Sequence, residues 1–574
     1  MRIRAALTWI ASFAVLLSFT CPAFADDGDD NAATLELLSR PPGRTHGKLG
    51  QNGGWQLWWY ANRTHILEPS YRAATDGDAV AIDSLARDRA RDALRREIDG
   101  KRELVRSEAV LALGRLGDVR DFSLLARIVS DPEVKDTPRM HRWAAVALGL
   151  MPLGDATDAA QARDALLSAL RGARGERDHF SFFWAHCALA LAMRGDASAL
   201  PELITMRREA LSAKNARSSL HVDVLGPICY AMAVLGGDLV LPEVREHLSG
   251  VRAPDSGSKD TSWAACHALA RIDGDESLRL LRDAASDRRY VVRRVALTAL
   301  GSVAEADDDE TARVLREVMK SESDFIARQM GIVSLGRSGH ASARDALLKR
   351  WKRCLSADRT FVATALGLLA RERPDPVISK FLHRALMDSH DEELTRALAV
   401  ACGLAKVDAA RSELIKLVRR GNLRVCASAC AALGYLGVAG ANEVDALLET
   451  LDRKGSLMRM REASLALGLL RQQEAVAPLW AIAGDRTRPD MERAHALSCL
   501  GRVGSDTEID EFLSLLEDRR TTTQLRACVI HGLGLLLDRD EGATLAPVAG
   551  DALWFWTYRG KMYEAIHDIQ RLLQ

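Results

Sequence analysis

The stretch Val292-Arg293-Arg294-Val295-Ala296-Leu297-Thr298-Ala299-Leu300-Gly301 decides the fold class of this chain. An Arg comes first, small and branched apolar residues follow at helical spacing, and a Gly ends the pattern. Copies of the pattern end at Gly114, Gly149, Ala192, Ala233, Ala270, Gly301, Gly336, Gly367, Gly403, Gly434, Gly468, Gly501 and Gly534. About thirteen units at roughly 31 to 43 residues each predict a repeat array, because one compact core does not grow to 574 residues.

Each unit contains two amphipathic helical patterns. Residues 311–319 are apolar at helical spacing, residues 321–324 form a polar loop, and residues 325–335 form the second helix, which carries the repeated motif. Small residues on the second helix are expected to let neighbouring units approach closely. The Gly that ends the motif is expected to lie just past the helix as a left-handed C-cap, which disfavours residues with a Cβ.

Two helices per unit, this period and the motif Arg-x-x-Ala-x-x-Ala-Leu-Gly resemble HEAT repeats, and most closely the short HEAT-like class found in bilin lyases of phycobilisomes. The resemblance covers about three quarters of the chain. It implies an all-α fold, a right-handed α-solenoid (superhelix) of about thirteen two-helix repeats with helical caps. Such arrays serve mainly as binding scaffolds in unrelated systems, so the resemblance implies a fold far more specifically than a task.

The ends of the chain differ in composition from the array. Residues 1–25 have a basic start, a short apolar run and the small-x-small site Ala23-Phe24-Ala25, which predict a signal peptide and export to the periplasm or outside the cell; an uncleaved signal anchor is the alternative. Residues 26–52 are predicted to be a flexible linker, 53–100 an aromatic N-terminal cap, 101–540 the array and 541–574 a helical C-terminal cap. No later segment is expected to span a membrane.

Eight arginines lie seven or eight positions before the end of their motifs, in the first turn of the second helix. They are Arg106, Arg142, Arg293, Arg328, Arg396, Arg461, Arg493 and Arg526. In the resembled family such residues form a ladder that ties repeats together through the loops. The alternative, and the candidate partner-binding site, is a basic stripe along the concave face that holds an acidic segment of a partner.

A second candidate surface is the aromatic cluster before the array. Trp55, Trp58 and Trp59 share one face of a predicted helix. They either plug the exposed end of the first repeat or form a platform on which a sugar or a peptide stacks.

Motifs that carry catalytic chemistry are absent from the sequence. We find no nucleophile elbow, phosphate-binding loop, His-Glu-x-x-His or Cys-x-x-Cys, and we expect no cofactor. All cysteines of the array but Cys354 occupy small apolar positions of second helices, which predicts buried free thiols. His495 and Cys499, with Cys528 and His531 one repeat later, are a weak candidate for a tetrahedral metal site.

Composition narrows the kind of partner. Lys plus Arg (78) balances Asp plus Glu (78), so no overall charge attracts nucleic acid or an anionic membrane. We therefore predict an exported, non-enzymatic scaffold that binds a protein or peptide along its concave face. The alternatives are a lyase-like enzyme with a pocket in the groove, and a carbohydrate- or envelope-binding module that uses the terminal aromatic residues.

Overall fold

The computed structural model describes residues 84–130, 138–151, 155–172, 181–212, 222–250, 262–354, 356–437, 440–453, 457–470 and 472–537. Within these ranges every regular element is helical. The predicted signal peptide, the linker, the tryptophan cluster and the C-terminal cap lie outside the described residues.

The described helices alternate between first and second helices of successive repeats. The first helices are α1 (Ser84–Ile98), α3 (Phe122–Ser130), α5 (Ala156–Arg171), α7 (Leu200–Ser212), α9 (Leu241–Gly250), α11 (Asp275–Ala284), α13 (Asp309–Ser321), α15 (Ala343–Arg353), α17 (Pro376–Met387), α19 (Arg411–Arg420), α21 (Ala441–Asp452), α23 (Val476–Gly484) and α25 (Ile509–Glu517). The second helices are α2 (Glu103–Leu116), α4 (Pro138–Leu150), α6 (Ser181–Arg194), α8 (Val222–Gly236), α10 (Trp263–Leu269), α12 (Tyr290–Val303), α14 (Phe325–Arg337), α16 (Ser356–Glu372), α18 (Glu392–Leu404), α20 (Leu423–Leu436), α22 (Leu457–Leu469), α24 (Asp490–Val503) and α26 (Thr523–Leu537).

These helices make thirteen pairs within the described residues, and each second helix carries one copy of the motif. The predicted pair at 311–319 and 325–335 is observed as α13 and α14. The prediction of an all-α solenoid built from two-helix repeats is confirmed. The predicted boundary between cap and array at residue 100 stays a prediction, although α1 packs against α2 as a first helix does elsewhere.

The predicted left-handed cap at the motif Gly is wrong. Gly114 and Gly434 lie inside α2 and α20, and the left-handed residues are Gly117 (φ 67°) and Gly437 (φ 80°), three positions later. The motif Gly instead allows the next second helix to come close. A Cβ placed on Gly403 would lie 2.5 Å from the carbonyl oxygen of Ala432. Gly has a poor helix propensity, but at this position it allows the second helices to pack closely.

The same close contact sets the register of the stack. Gly114 meets Ala147, Gly149 meets Ala190, Gly367 meets Ala401 and Gly434 meets Ala466. In each case the contacted residue lies two positions before the end of the next motif. Successive second helices are thus packed backbone against small side chain, and their large apolar residues are almost completely buried.

The chain divides into two compact units. Among the described residues, one unit comprises 353–499, and the other comprises 84–352 together with 500–537. Inside the second unit the last helix pair packs on the first, because α26 contacts α2 and α25 contacts α1. We call this contact the seam; its two sides are α1 with α2, and α25 with α26.

One described stretch, Val224–Ser249, is long and apolar enough to cross a membrane by length and composition. The sequence-based statement that no segment after the signal has these properties therefore needs correction. The stretch is divided by a 3₁₀ turn at Gly237–Val240 into α8 and α9, and 61% of its apolar window is buried. These are properties of core helices in a repeat array.

The prediction of free, buried thiols is confirmed for the described cysteines. Cys187, Cys229, Cys266, Cys354, Cys402, Cys426, Cys430 and Cys499 are free and buried, and Cys528 is free and half-buried. Burial raises the pKa of the Cys402 thiol to about 12, so that this side chain behaves as a small apolar group at neutral pH.

Candidate partner-binding surface

Four of the five arginines that lie eight positions before the end of the motif donate to a carbonyl at or just after the end of their own first helix. Arg106 Nε donates to the Ile98 carbonyl at 2.8 Å, at the end of α1. Arg328 Nη1 donates to the Glu322 carbonyl at 2.8 Å, and Arg493 Nε donates to the Ala483 carbonyl at 2.9 Å. Arg293 reaches the Asp287 carbonyl at 2.9 Å in the same way. These side chains satisfy carbonyls that the end of a first helix leaves without a helical partner.

The arginines that lie seven positions before the end point in other directions, since one residue rotates a helix by about 100°. Arg396, which is 1% exposed, donates from Nε to Ser428 Oγ on the next second helix at 3.2 Å. Arg461 donates to Glu462 Oε1 at 2.9 Å. The Arg142 guanidinium lies 5.8 Å from the ring centre of Trp143. The sequence pattern did not separate these two sets.

Arg526 makes the longest-range contact of the eight in sequence. Its Nε and Nη2 atoms bind the two carboxylate oxygens of Glu97 on α1 at 2.9 and 2.5 Å. The hydrogen bonds that Arg526 donates to the Glu97 carboxylate raise the pKa of this guanidinium above its usual value. The contacts that we observe for these arginines are those of a structural role. The alternative, a basic stripe that contacts a partner, stays a prediction.

Two sets of ion pairs between repeats were not predicted from the sequence. Arg294, next to Arg293, forms a buried pair with Asp324: Nε lies 2.6 Å from Oδ2, and Nη2 lies 2.9 Å from Oδ1. First helices are joined at their surface by pairs between an Arg of one repeat and an acid of the next. They include Arg171–Glu202, Arg208–Glu243 and Arg245–Glu276 in one unit, and Arg411–Glu443 and Arg419–Glu449 in the other. This outer row joins repeats through arginines other than the eight that the sequence singled out.

Each second helix has an inner side, which we define as the side turned away from its own first helix. It carries the residues six and three positions before the end of the motif and one position after it. In most repeats of the larger unit the residues at the first two of these positions are buried, and the third position is partly exposed. Trp143 packs edge-on against His186 at 5.9 Å between ring centres, and His267 packs in the same way against Trp263 of its own helix at 6.0 Å.

The inner side is more open near the seam. Glu108 on α2, Arg502 on α24, and Cys528, His531 and Leu535 on α26 are all partly exposed. His531 Nδ1 lies 3.7 Å from Glu108 Oε2. Burial lowers the pKa of His531, and the neighbouring Glu108 carboxylate partly opposes that shift. This surface, which we call the open inner patch, combines both signs of charge with a thiol and an apolar side chain.

Two of the four residues considered as metal ligands have other contacts. Cys499 Sγ donates to the Ser464 carbonyl at 2.8 Å, and His531 faces Glu108. In the part of the chain that the structure describes, no group of three or more His, Cys, Asp or Glu side chains is placed to hold a metal ion.

Comparisons with known proteins concern the fold. A family model for HEAT repeats matches residues 248–336. No curated protein sequence matches the chain. Human deoxyhypusine hydroxylase in complex with glycerol is 18% identical over 46% of this chain and 96% of its own, with a TM-score of 0.22. Kap95p, in a structure on its binding to RanGDP, is 14% identical over 79% of this chain and 67% of its own (TM-score 0.36).

Kap121p bound to Nup53p is 13% identical over 83% of this chain, with a TM-score of 0.32. The chain spans only 57% of the length of Kap121p. At these identities and scores the likenesses carry no argument about partner or activity.

Proposed function

We propose that this HEAT-repeat protein is an exported, non-enzymatic scaffold that binds a protein or a peptide on the inner side of its second helices. Stacked helix pairs provide stability through contacts between neighbours, and the inner side provides an extended surface. The observation that carries the proposal is the open inner patch. Its residues Glu108, Cys528 and His531 are partly exposed, whereas the residues six and three positions before the motif end are buried in the other described repeats of the same unit.

The contacts of the eight arginines also favour the open inner patch as the binding surface, because these arginines are engaged within the array. Arg106, Arg328 and Arg493 bind carbonyls of their own first helices, and Arg396 binds the next second helix. A partner that used these guanidinium groups would first have to displace bonds that hold the array together. Arg502 belongs to the patch and is the cation that we expect to contact an acidic group of the partner.

A pull-down from the exported fraction tests the proposal with matched substitutions. We expect L535Q and R502Q to lose a partner that the wild-type protein retains. L239Q and R313Q are the controls, since Leu239 and Arg313 are well exposed and lie outside the patch. Circular dichroism should show that all four variants remain folded.

Three outcomes are informative. Loss of the partner only in L535Q and R502Q would support binding at the open inner patch. Equal binding by all variants would exclude the patch as the working surface. Absence of any captured partner would contradict the scaffold function and would favour the alternatives, a lyase-like enzyme or a carbohydrate-binding module that uses Trp55, Trp58 and Trp59, which lie outside the described residues.

A further inference from the structure

The seam reproduces the register of consecutive repeats. A Cβ placed on Gly534 in α26 would lie 3.0 Å from the Cβ and 3.2 Å from the Cα of Ala112 in α2. Ala112 stands two positions before the end of the first motif, as Ala147 does for Gly114. On its other side α26 meets α24, where Gly501 approaches Gly532. The first helix pair therefore occupies the place that the next repeat would take after the last one.

The ion pairs at the seam follow the same rule. Arg526 binds Glu97 at the end of α1, as Arg293 binds Glu322 at the end of α13 with Nε 3.1 Å from Oε2. Both arginines lie eight positions before the end of their motifs, and both acids lie at the end of the following first helix. Arg89 on α1 and Asp510 on α25 add a further, exposed ion pair across the seam at 2.7 Å.

The seam differs from other junctions in its covalent connection. Arg293 and Glu322 are 29 residues apart in sequence, and a short connection keeps their helix pairs together even when the contact loosens. Arg526 and Glu97 are 429 residues apart. Once the seam opens, its two sides are held near each other only through the rest of the chain, so that reclosing is less favoured than at a junction with a short tether.

We infer that the seam is a latch: the point at which the array opens first, held shut by the Arg526–Glu97 pair. A junction that recloses less readily spends more time open, and hydrogen exchange reports such local opening. The latch depends on charge, because Arg526 and Glu97 are partly exposed and Arg89 and Asp510 are more so. This inference holds whichever partner the protein binds, and it stands if no partner is found.

Hydrogen exchange measured by mass spectrometry on the full exported chain tests the latch. We expect R526A to accelerate exchange in α2 and α26 by about tenfold, since it leaves Glu97 partly buried without its partner. Raising the salt concentration should accelerate exchange in the same two helices of the wild-type protein. Exchange in α18 and α20, at an internal junction, should remain slow under both changes.

R293A is the matched control, because it removes the equivalent pair at a junction with a short connection. We expect it to leave α2 and α26 unchanged and to accelerate exchange in α12 and α14 less than R526A does at the seam. If R526A does not fold, R526K retains the charge without the two-point contact, and it should show an intermediate acceleration that disappears at high salt.

Two results would overturn the inference. One is equal acceleration by R526A and R293A at their respective junctions, which would make the seam an ordinary interface. The other is exchange in α2 and α26 that slows as the protein concentration rises. That dependence would mean that the last helix pair stacks on a second copy of the chain in solution.

Discussion

Replacing Gly403 by Ala should destabilise the smaller unit, although Ala is the better helix former. The added Cβ would lie 2.5 Å from the Ala432 carbonyl oxygen and 2.8 Å from the Ala432 Cα. These atoms belong to the backbone of α20, so no side-chain rotation relieves the clash, and the two helices would have to separate by about 0.9 Å to restore ordinary contact. Overpacking of this kind costs about 1–3 kcal/mol, and the better propensity of Ala returns about 1 kcal/mol.

We expect a net loss near the upper end of that balance, about 2 kcal/mol, because the obstacle is backbone. G484A is the matched control in the same unit: Gly484 ends α23, and a Cβ there would meet no atom within 4 Å. That variant should be neutral or should gain up to about 1 kcal/mol. Hydrogen exchange in α18 and α20 is the suitable assay, since long repeat arrays need not unfold in one step.

Only G403A is expected to lower the stability of the smaller unit. Exchange in α18 and α20 should accelerate in G403A and stay unchanged in G484A. If G403A proved as well tolerated as G484A, the second helices could not be packed at the distance described. The assignment of the motif Gly to close packing would then be wrong as well.

Three further predictions concern buried ionisable side chains. R294M should cost about 3 kcal/mol of stability, because Asp324 stays buried without its cation, and R294M combined with D324N should cost less than the sum of the single losses in urea unfolding. Burial raises the pKa of Cys229 and Cys402 to about 12 from 9.0. Because the unfolded chain therefore loses these protons first, the free energy of unfolding should fall between about pH 9 and 12. The C402A substitution should make that fall smaller. Burial lowers the pKa of His495 to about 4 from 6.5. Because the unfolded chain therefore takes up that proton first as the pH falls, the free energy of unfolding should drop between pH 6.5 and 4. A pH series of unfolding midpoints should show that H495Q removes this part of the drop.

The repeat architecture was predictable because the same motif recurs thirteen times in the sequence. Apolar spacing places α13 and α14 to within two residues of their observed ends, and the small positions of second helices correctly predict free thiols such as Cys402. The motif Gly was misassigned because a Gly near the end of a helical pattern is equally compatible with a cap and with a close contact. Only the backbone conformation in the structure distinguishes Gly434, which lies inside the helix, from Gly437, which is left-handed.

The roles of the arginines could not be read from spacing alone. A shift of one position between Arg293 and Arg294 turns the side chain by about 100°. Arg293 contacts both the Asp287 carbonyl and Glu322, whereas Arg294 reaches the buried Asp324. The seam was inaccessible to sequence reasoning for a different reason. Arg526 and Glu97 are 429 residues apart, and no local pattern links them.

Within each compact unit, the layer of first helices and the layer of second helices should respond differently to mechanical load. The second helices meet through glycine and alanine at distances that leave no room for compression, so this layer acts as the neutral line about which a stack of repeats bends. The first helices are joined by exposed ion pairs such as Arg419–Glu449, which can lengthen and re-form at little cost. Bending stiffness is therefore set by the outer layer, and dissolved salt should soften it without altering the spacing of the inner one.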